Sequence, residues 1–572
     1  MKNIKYIYLL LLTATFVSCE KDFLDVPPQD QLVDETYWSS EENVRTFAFD
    51  FYPAYFVGYG SGYAWGDYFS GESFNDDFSP TNPSPFVKVV PTTGGGWDFG
   101  WVRKANIFIN RVQTVPMEEE AIEHWTGIGR FFRGMEYHDL VKRFGDVPWY
   151  EEELTEEEME VLYKPRDSRT FVMDKVLEDF QYAAEHVREA VPNEGQMVDR
   201  NVVLAFMSRI FLFEGTWQKY HLNNTEKAKE YLEASKWASE QVMASGDFSL
   251  GDYRSVFNSL DLSGNPEVIL FREYESGVLT HALNSYNNTE AQTGVSKEAI
   301  ESYLAADGLP IEISPLYQGD KGIENVMADR DPRIYETFVS DELRISGIHT
   351  NYSTTGYATH KFLNEEIKDD PIGSSSLNPT DAPVIRYGEV LMNYIEAVAE
   401  LATLGGPAVD QADLDKSINV LRSRPGIDLP DLQVIGGEPA VNGVVYDDPD
   451  RDPDVPALIW EIRRERRVEL MMEGFRYDDL RRWKQLEQLD MSQYPDTNRG
   501  AWVDKSDYPE NADDIAGLVL TEGEEGYIIP APTESTWRIF PGEKVYLYPL
   551  PLDQITLYRE AGYELAQNPG WE

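Results

Sequence analysis

The stretch Glu461–Trp483, EIRRERRVELMMEGFRYDDLRRW, constrains this chain more than any other. Glu461, Glu465, Glu469 and Glu473 recur at every fourth position, so on a helix they share one slowly drifting stripe. Arg463, Arg464, Arg466 and Arg467 lie beside them, within i,i+3 and i,i+4 reach. Ile462, Val468, Leu470, Met471, Met472 and Phe475 are too many apolar residues for a helix surrounded by water. Such density of charge and apolar surface predicts a semi-buried helix whose guanidinium forks are paired with carboxylates. Gly474 is the expected helix stop, and Asp478 or Asp479 the cap of a second helix carrying Leu480 and Trp483.

Composition excludes several function classes. The chain has 572 residues, enough for a large core, and its net charge is −51. Nucleic acid needs a basic stripe that this balance does not supply, and an anionic lipid surface would repel it. Glu151–Glu160 (EEELTEEEME) reads as solvated acidic surface. At the N-terminus, Lys2 and Lys5 precede an apolar run, Ile7–Val17, of signal-peptide length and too short to cross a bilayer as a helix. Cys19 is the only cysteine, which rules out an internal disulfide. Its place after Ser18 resembles a lipobox, although Phe16 and Val17 depart from a strict Leu-x-x-Cys pattern. Residues 1–18 are therefore read as a signal peptide, with Cys19 left as the lipid-bearing first residue. Residues 19–40 follow as anchor and tether, stiffened by Pro27 and Pro28.

A helix is expected over about Glu41–Phe56, with Val44, Phe47, Phe51 and Tyr55 on its core face and Pro53 threatening the last turn. The next segment, Gly58–Pro80, is rich in Gly and Ser yet carries Tyr59, Tyr63, Trp65, Tyr68, Phe69, Phe74 and Phe78. From Phe47 to Trp101, 17 of 55 residues are aromatic, against 13% in the whole chain, and an excess on loops points to flat stacking platforms. Helical periods then occupy about Trp101–Val112, Thr126–Phe144, Ser168–Val187, Val198–Phe213, Thr225–Ser245, Lys297–Leu304, Val384–Leu404 and Asp413–Arg424. Amphipathic pairs with small residues at the crossings suggest tetratricopeptide-like hairpins without a clean repeat length.

Enzyme chemistry finds little footing. There is no HExxH among the seven His, no G-x-S-x-G elbow, and no Walker or dinucleotide glycine pattern. Asp76 and Asp77 are adjacent on an extended loop and point apart, which is poor geometry for a glycosidase pair. The alternating Asp448, Asp450, Asp452 and Asp454 lack the glycine and the bidentate Glu of an EF-hand, and read as a solvated acidic loop.

Several segments resemble one family in their wording and order. They are ERR-x-EL-xx-EG-x-R-xx-DL-RRW, FFRGMEYHDLVKRFGDVPW, VIRYGEVLMNYIEAVAELA, INVLRSRPG and the ending QNPGW. Together they resemble the SusD/RagB family of nutrient-binding outer-membrane lipoproteins of the Bacteroidota. The resemblance implies a mostly α fold, with four tetratricopeptide-like helix pairs as a scaffold and long aromatic-rich loops on another face. Residues 41–572 would form a single body, with an N-terminal part (41–250) and a C-terminal part (251–572) each bearing a ligand loop. Glu20, Lys21 and Asp22 resemble the tag that sends such lipoproteins to the cell surface. The implied function is capture of oligo- or polysaccharide for a SusC-like TonB-dependent transporter, without catalysis, cofactor or metal.

A pyranose offers an apolar face to aromatic rings and a rim of hydroxyls to Asp, Asn or Arg. Tyr63, Trp65 and Phe78 beside Asn75, Asp76 and Asp77 supply both on the first loop. By family position the second loop is His281–Gly294, with Asn284, Tyr286 and Asn287 as candidates. The lack of Lys and Arg between Tyr59 and Lys88 favours a neutral glycan. Two alternatives stand beside this reading: a surface glycoside hydrolase, and a tetratricopeptide-type scaffold that binds peptide in its helical groove.

Overall fold

Helical hairpins stacked side by side form the scaffold of the molecule. The structure is a computed structural model and describes residues 37–66, 68, 74–155, 157–193, 195–283, 294–373, 375–533 and 538–571. The expected lipid site Cys19, most of the tether, and Asn284, Tyr286 and Asn287 of the second loop lie outside the described residues.

The principal helices are α1 (Glu41–Ala48), α2 (Gly100–Val112), α3 (Glu119–Phe144), α4 (Arg169–His186), α5 (Arg200–Tyr220), α6 (Thr225–Ser245), α7 (Tyr387–Thr403), α8 (Ala457–Glu469), α9 (Arg476–Arg482) and α10 (Leu552–Glu560). The strands form small antiparallel sheets: β1 (Gly60–Ser61) with β2 (Ala64–Trp65), and β3 (Val268–Arg272) with β4 (Ala382–Arg386). A second group pairs β5 (Gln433–Ile435) with β6 (Glu438–Val441) and β7 (Val444–Val445), and β8 (Trp502–Asp504) with β9 (Glu525–Tyr527). None of the described helices is long and apolar enough to cross a membrane.

Each long helix packs against its neighbour in sequence, α2 on α3 and so on through α7 on α8. Ser168, Asp199 and Asn224 start α4, α5 and α6 by accepting from the amides of Phe171, Val202 and Lys227. Two crossings depend on a missing side chain. A Cβ on Gly134 of α3 would stand 2.8 Å from the Phe180 ring of α4, and one on Gly215 of α5 would stand 2.6 Å from Leu232 of α6. The largest apolar core draws on α1 to α6 and on Ile385, Val390, Leu550, Tyr558 and Leu565 from the far end of the chain. A second core lies beneath the loops around Tyr59, Tyr68, Phe78, Tyr253 and Phe257.

The structure moves several expected boundaries. Helix α3 begins at Glu119 rather than Thr126, its first turn carrying Glu119 and Glu120 where the helix dipole favours acids. Val384–Arg386 belong to β4, because these residues pair with β3 instead of opening the helix that follows. The expected helix Asp413–Arg424 is two short ones, Gln411–Asp415 and Ile418–Arg422, broken at Lys416–Ser417. Pro53 is accommodated at the start of a separate last turn, Tyr52–Tyr55, where its missing amide is not needed.

Candidate functional site

Both described ends of the second loop are hydrogen-bonded to the first. At one end the Gly62 amide donates to the Thr280 carbonyl at 2.7 Å, and Gly62 bridges His281 in parallel register. At the other, the Ser79 amide donates to Gly294 O and the Ser296 amide to Asp77 O, each at 2.8 Å. A third segment joins through His281 and Asn378, whose backbones exchange bonds of 3.0 and 3.2 Å. The His281 imidazole is buried, bonded through Nε2 to Thr380, and burial pushes its pKa down to about 4. It stays neutral across the physiological range and acts as a fixed strut.

The aromatic residues of the first segment divide between two directions. Tyr63 and Trp65, on the β1–β2 hairpin, are 72% and 39% exposed. Tyr59 and Tyr68 turn inward, their hydroxyls donating to the carbonyls of Phe257 at 2.8 Å and Pro383 at 2.5 Å. The segments bonded to the hairpin also carry exposed apolar residues, Val278 and Leu377, 78% and 54% exposed. Sequence reasoning missed those two. Each is a lone apolar residue in a polar loop, and nothing local marks it as exposed.

Four of the expected ligand residues are not presented to solvent. Asn75, Asp76, Asp77 and Phe78 are all buried. Phe78 joins the core beneath the loops, and the Asn75 side chain accepts from the Asp77 amide at 3.0 Å. Asp76 takes a two-pronged contact from Arg476 (2.7 and 2.6 Å), and Asp77 takes Nε of Arg467 at 2.7 Å. Burial opposes ionisation of Asp76, but Arg467 and Arg476 outweigh it and hold the carboxyl well below its usual range. These residues anchor the loop to the scaffold; they do not line its outer face.

The anchoring arginines come from the stretch that opened the sequence reading. Glu461 meets a helical neighbour, Arg464, at 3.3 Å, but the other three glutamates are paired with partners from elsewhere in the chain. Glu465 binds Arg333 and Arg422; Glu469 binds Arg333, Arg386 and Arg424; Glu473 binds Lys361 and Arg386. Glu267 completes the set with Arg386 and Arg424, and Asp331 with Arg333. Five buried carboxylates thus face five buried cations. The helix's own arginines reach outward: Arg463 to Glu400, Arg466 to Asp479 and Arg467 to Asp77. At the turn, Met472 and Gly474 adopt φ of +70° and +86°, so the chain reverses within a few residues. Helix α9 then begins at Arg476, with Asp478 and Asp479 inside its first turn. They are not caps: Asp478 holds Lys142, and Asp479 holds Arg466 and Arg482.

Glu312 meets the acidic loop before α8, where it and Asp448 and Asp450 bring oxygens within 4.8 Å of one another. Asp448 is already engaged by the Arg464 guanidinium and by Trp460 Nε1 at 2.9 Å.

Residues 266–571, which contain β3, the buried charge network and the closing turn, match the sequence profile of the SusD family. The chain belongs to that family. A SusD-like protein of Formosa agariphila is 22% identical over 505 residues, covering 84% of this chain and 91% of its own length. A SusD-like carbohydrate binding protein from Bacteroides fragilis has a solved structure with a TM-score of 0.67 at 22% identity, covering 92% of this chain and 99% of that one. A laminarin binding SusD-like protein gives a TM-score of 0.55 at 15% identity, over 93% of this chain and 100% of that one. These SusD-like structures share the helical scaffold described above.

Proposed function

We propose that this SusD-family protein binds glycan at the cell surface, is anchored through lipid on Cys19, and passes oligosaccharide to a SusC-like TonB-dependent outer-membrane transporter. The carrying observation is the outward hairpin with Tyr63 and Trp65, bonded to the base of the second loop. Exposed aromatic rings on a braced turn stack against pyranose C–H faces without first paying for loop ordering. The names of the relatives, carbohydrate binding and laminarin binding, support the same ligand class. Binding without hydrolysis is the better reading, because Asp76 and Asp77, the nearest carboxylate pair on that loop, are buried under arginines. The absence of Lys and Arg from residues 60–87 supports a neutral polymer.

Calorimetry against a panel of neutral and acidic glycans tests the reading. With the neutral glycan that binds, the double variant Tyr63→Ala/Trp65→Ala should lose at least ~2 kcal/mol, as expected for two stacked anchors. Unchanged affinity would place the site elsewhere. Anchoring is tested separately: Cys19→Ala should fold, fail to label with lipid, and leave the membrane fraction. Failure of the wild-type protein to co-purify a barrel from solubilised membranes would remove the transporter from the reading.

A further inference from the structure

Behind the outward hairpin lies a cavity of about 1100 Å³. Gly58 and Tyr68, which flank the hairpin in sequence, both line it, so one aromatic segment supplies an outer platform and an inner wall. Further wall comes from α3 (Glu136, His138, Asp139, Lys142), α5 (Arg209, Phe213), α8 (Arg466) and α9 (Tyr477, Asp478, Arg481). Tyr55, Phe74 and Trp101 add aromatic surface, and Ala54, exposed, lies at the rim.

The chemistry of the wall narrows what fits. Most of its charges are paired: Lys142 with Asp478 at 2.8 Å, Arg143 with Asp139 at 3.2 Å, Arg466 with Asp479 at 2.9 Å, and Arg209 with Glu389 behind the wall at 2.6 Å, while Arg481 donates to the carbonyls of Tyr546 and Lys142. A charged ligand would have to break one of these pairs or draw Arg481 from the backbone carbonyls it already holds. A purely apolar ligand would leave the polar half of the wall without hydrogen bonds. Glu136 has a different status from the paired carboxylates. It is half-buried, accepts from the Tyr55 hydroxyl at 2.6 Å, and burial pushes its pKa up to about 7. A carboxyl at that pKa donates or accepts near neutrality, as a sugar hydroxyl does. His138, kept neutral by burial, adds an imidazole to the same wall.

We propose that this cavity is a second binding site, for a neutral hydroxyl-rich ring or pair of rings, with Glu136 hydrogen-bonding the hydroxyls and Tyr55, Phe74 and Trp101 packing the C–H faces. The volume suffices for it, lying just above the ~300–1,000 Å³ typical of small-molecule sites. The choice of sugars as probes rests on the reading above, whereas the cavity is separate from the outer face.

The test is saturation-transfer NMR on the purified protein with D-glucose, D-galactose, D-mannose and D-xylose, each titrated for affinity. At least one should bind, and both Ala54→Trp, which plugs the rim from an exposed position, and Glu136→Ala should weaken it at least tenfold. Glu233→Ala, at an exposed position on α6 away from both sites, should leave that affinity within twofold. Thermal midpoints report whether each variant folds, and Ala54→Trp decides alone if Glu136→Ala does not. If none of the four sugars shows transfer to the wild type, or if Ala54→Trp binds as the wild type does, the cavity is not a sugar site. Loss in Trp65→Ala with retention in Ala54→Trp would also overturn the inference, while leaving the outer face as the site.

Discussion

Replacing Glu469 with alanine should be among the most damaging single changes to the scaffold. Its carboxylate is fully buried and receives Arg386 Nη1 at 2.8 Å, Arg424 Nη2 at 2.8 Å and Arg333 Nη1 at 3.2 Å. Burial alone would raise its pKa, but Arg424, Arg386 and Arg333 pull it down to about 2 from the ordinary 4.5. A difference of that size corresponds to about 3 kcal/mol of stability. Breaking a buried pair by removing one partner costs a similar ~3–5 kcal/mol, because a cation is left uncompensated. Glu469→Ala leaves five cations facing four carboxylates, so the two routes to the magnitude agree. The assay is urea unfolding at pH 7 with Glu233→Ala, an exposed position on α6, as control. For a chain of this size the matching shift in Tm is only ~3 °C, so the free energy is the better readout. The sign with pH follows from the depressed pKa: the contribution is complete above about pH 4.5 and disappears as pH falls towards 2. A loss no greater than that of Glu233→Ala would show that the carboxylate is solvated, and the network argument would fail.

Three other changes test separate layers of the structure. Asp76→Asn should cost about 3 kcal/mol, since Arg467 and Arg476 lose a buried counter-charge, and should also weaken glycan binding by loosening the loop; unfolding and calorimetry read the two effects. Glu136 behaves oppositely to Glu469: its folded pKa of about 7 lies above the ordinary value, so the folded state binds the proton more tightly. Stability from that proton is present below about pH 4.5 and is lost as pH rises through 7, so the Tm advantage of Glu136→Gln over wild type should grow between pH 5 and 8. Gly134→Val drives new atoms into the Phe180 ring and should cost at least the ~1–3 kcal/mol of an overpacked core, measured by urea unfolding, with no change in glycan affinity once folded.

Helices were legible wherever local chemistry closed the case. The bounds of α6, Thr225–Ser245, follow from the Asn224 cap and from Gly246, whose φ of +74° ends it. Local pattern could not separate Trp65 from Phe78. Both are aromatic residues among Gly, Ser and Asp, yet one is 39% exposed and the other 2%. The difference is made by a partner more than two hundred residues away, where the Ser296 hydroxyl donates to Asp76 O at 2.6 Å and closes the loop over Phe78. The same limit applies to the charged helix. Its spacing announces buried pairs correctly, but i,i+4 neighbours compete with partners delivered by the fold. Arg386 and Arg424 present guanidinium forks from a second and third element, which match a carboxylate better than an adjacent side chain on the same helix.

That substitution of partners links the scaffold to the ligand face. Because Glu465, Glu469 and Glu473 are satisfied from elsewhere, Arg467 and Arg476 are released to hold Asp77 and Asp76. Residues 461–483 therefore fix the root of the aromatic loop without touching its outer face. The buried network is charge-balanced, so the chain's net charge of −51 is carried outside it, as on the surface with the exposed Glu151 and Glu152. Such a surface repels an acidic polymer across roughly the 8–10 Å of a Debye length in physiological salt, and leaves an uncharged one unaffected. Stacking on Tyr63 and Trp65 involves no ion pair and is insensitive to that field. On the proposed function, an acidic body with outward aromatic rings would select against acidic polysaccharides by repulsion and retain neutral ones by contact, two separable contributions that a salt titration of binding would resolve.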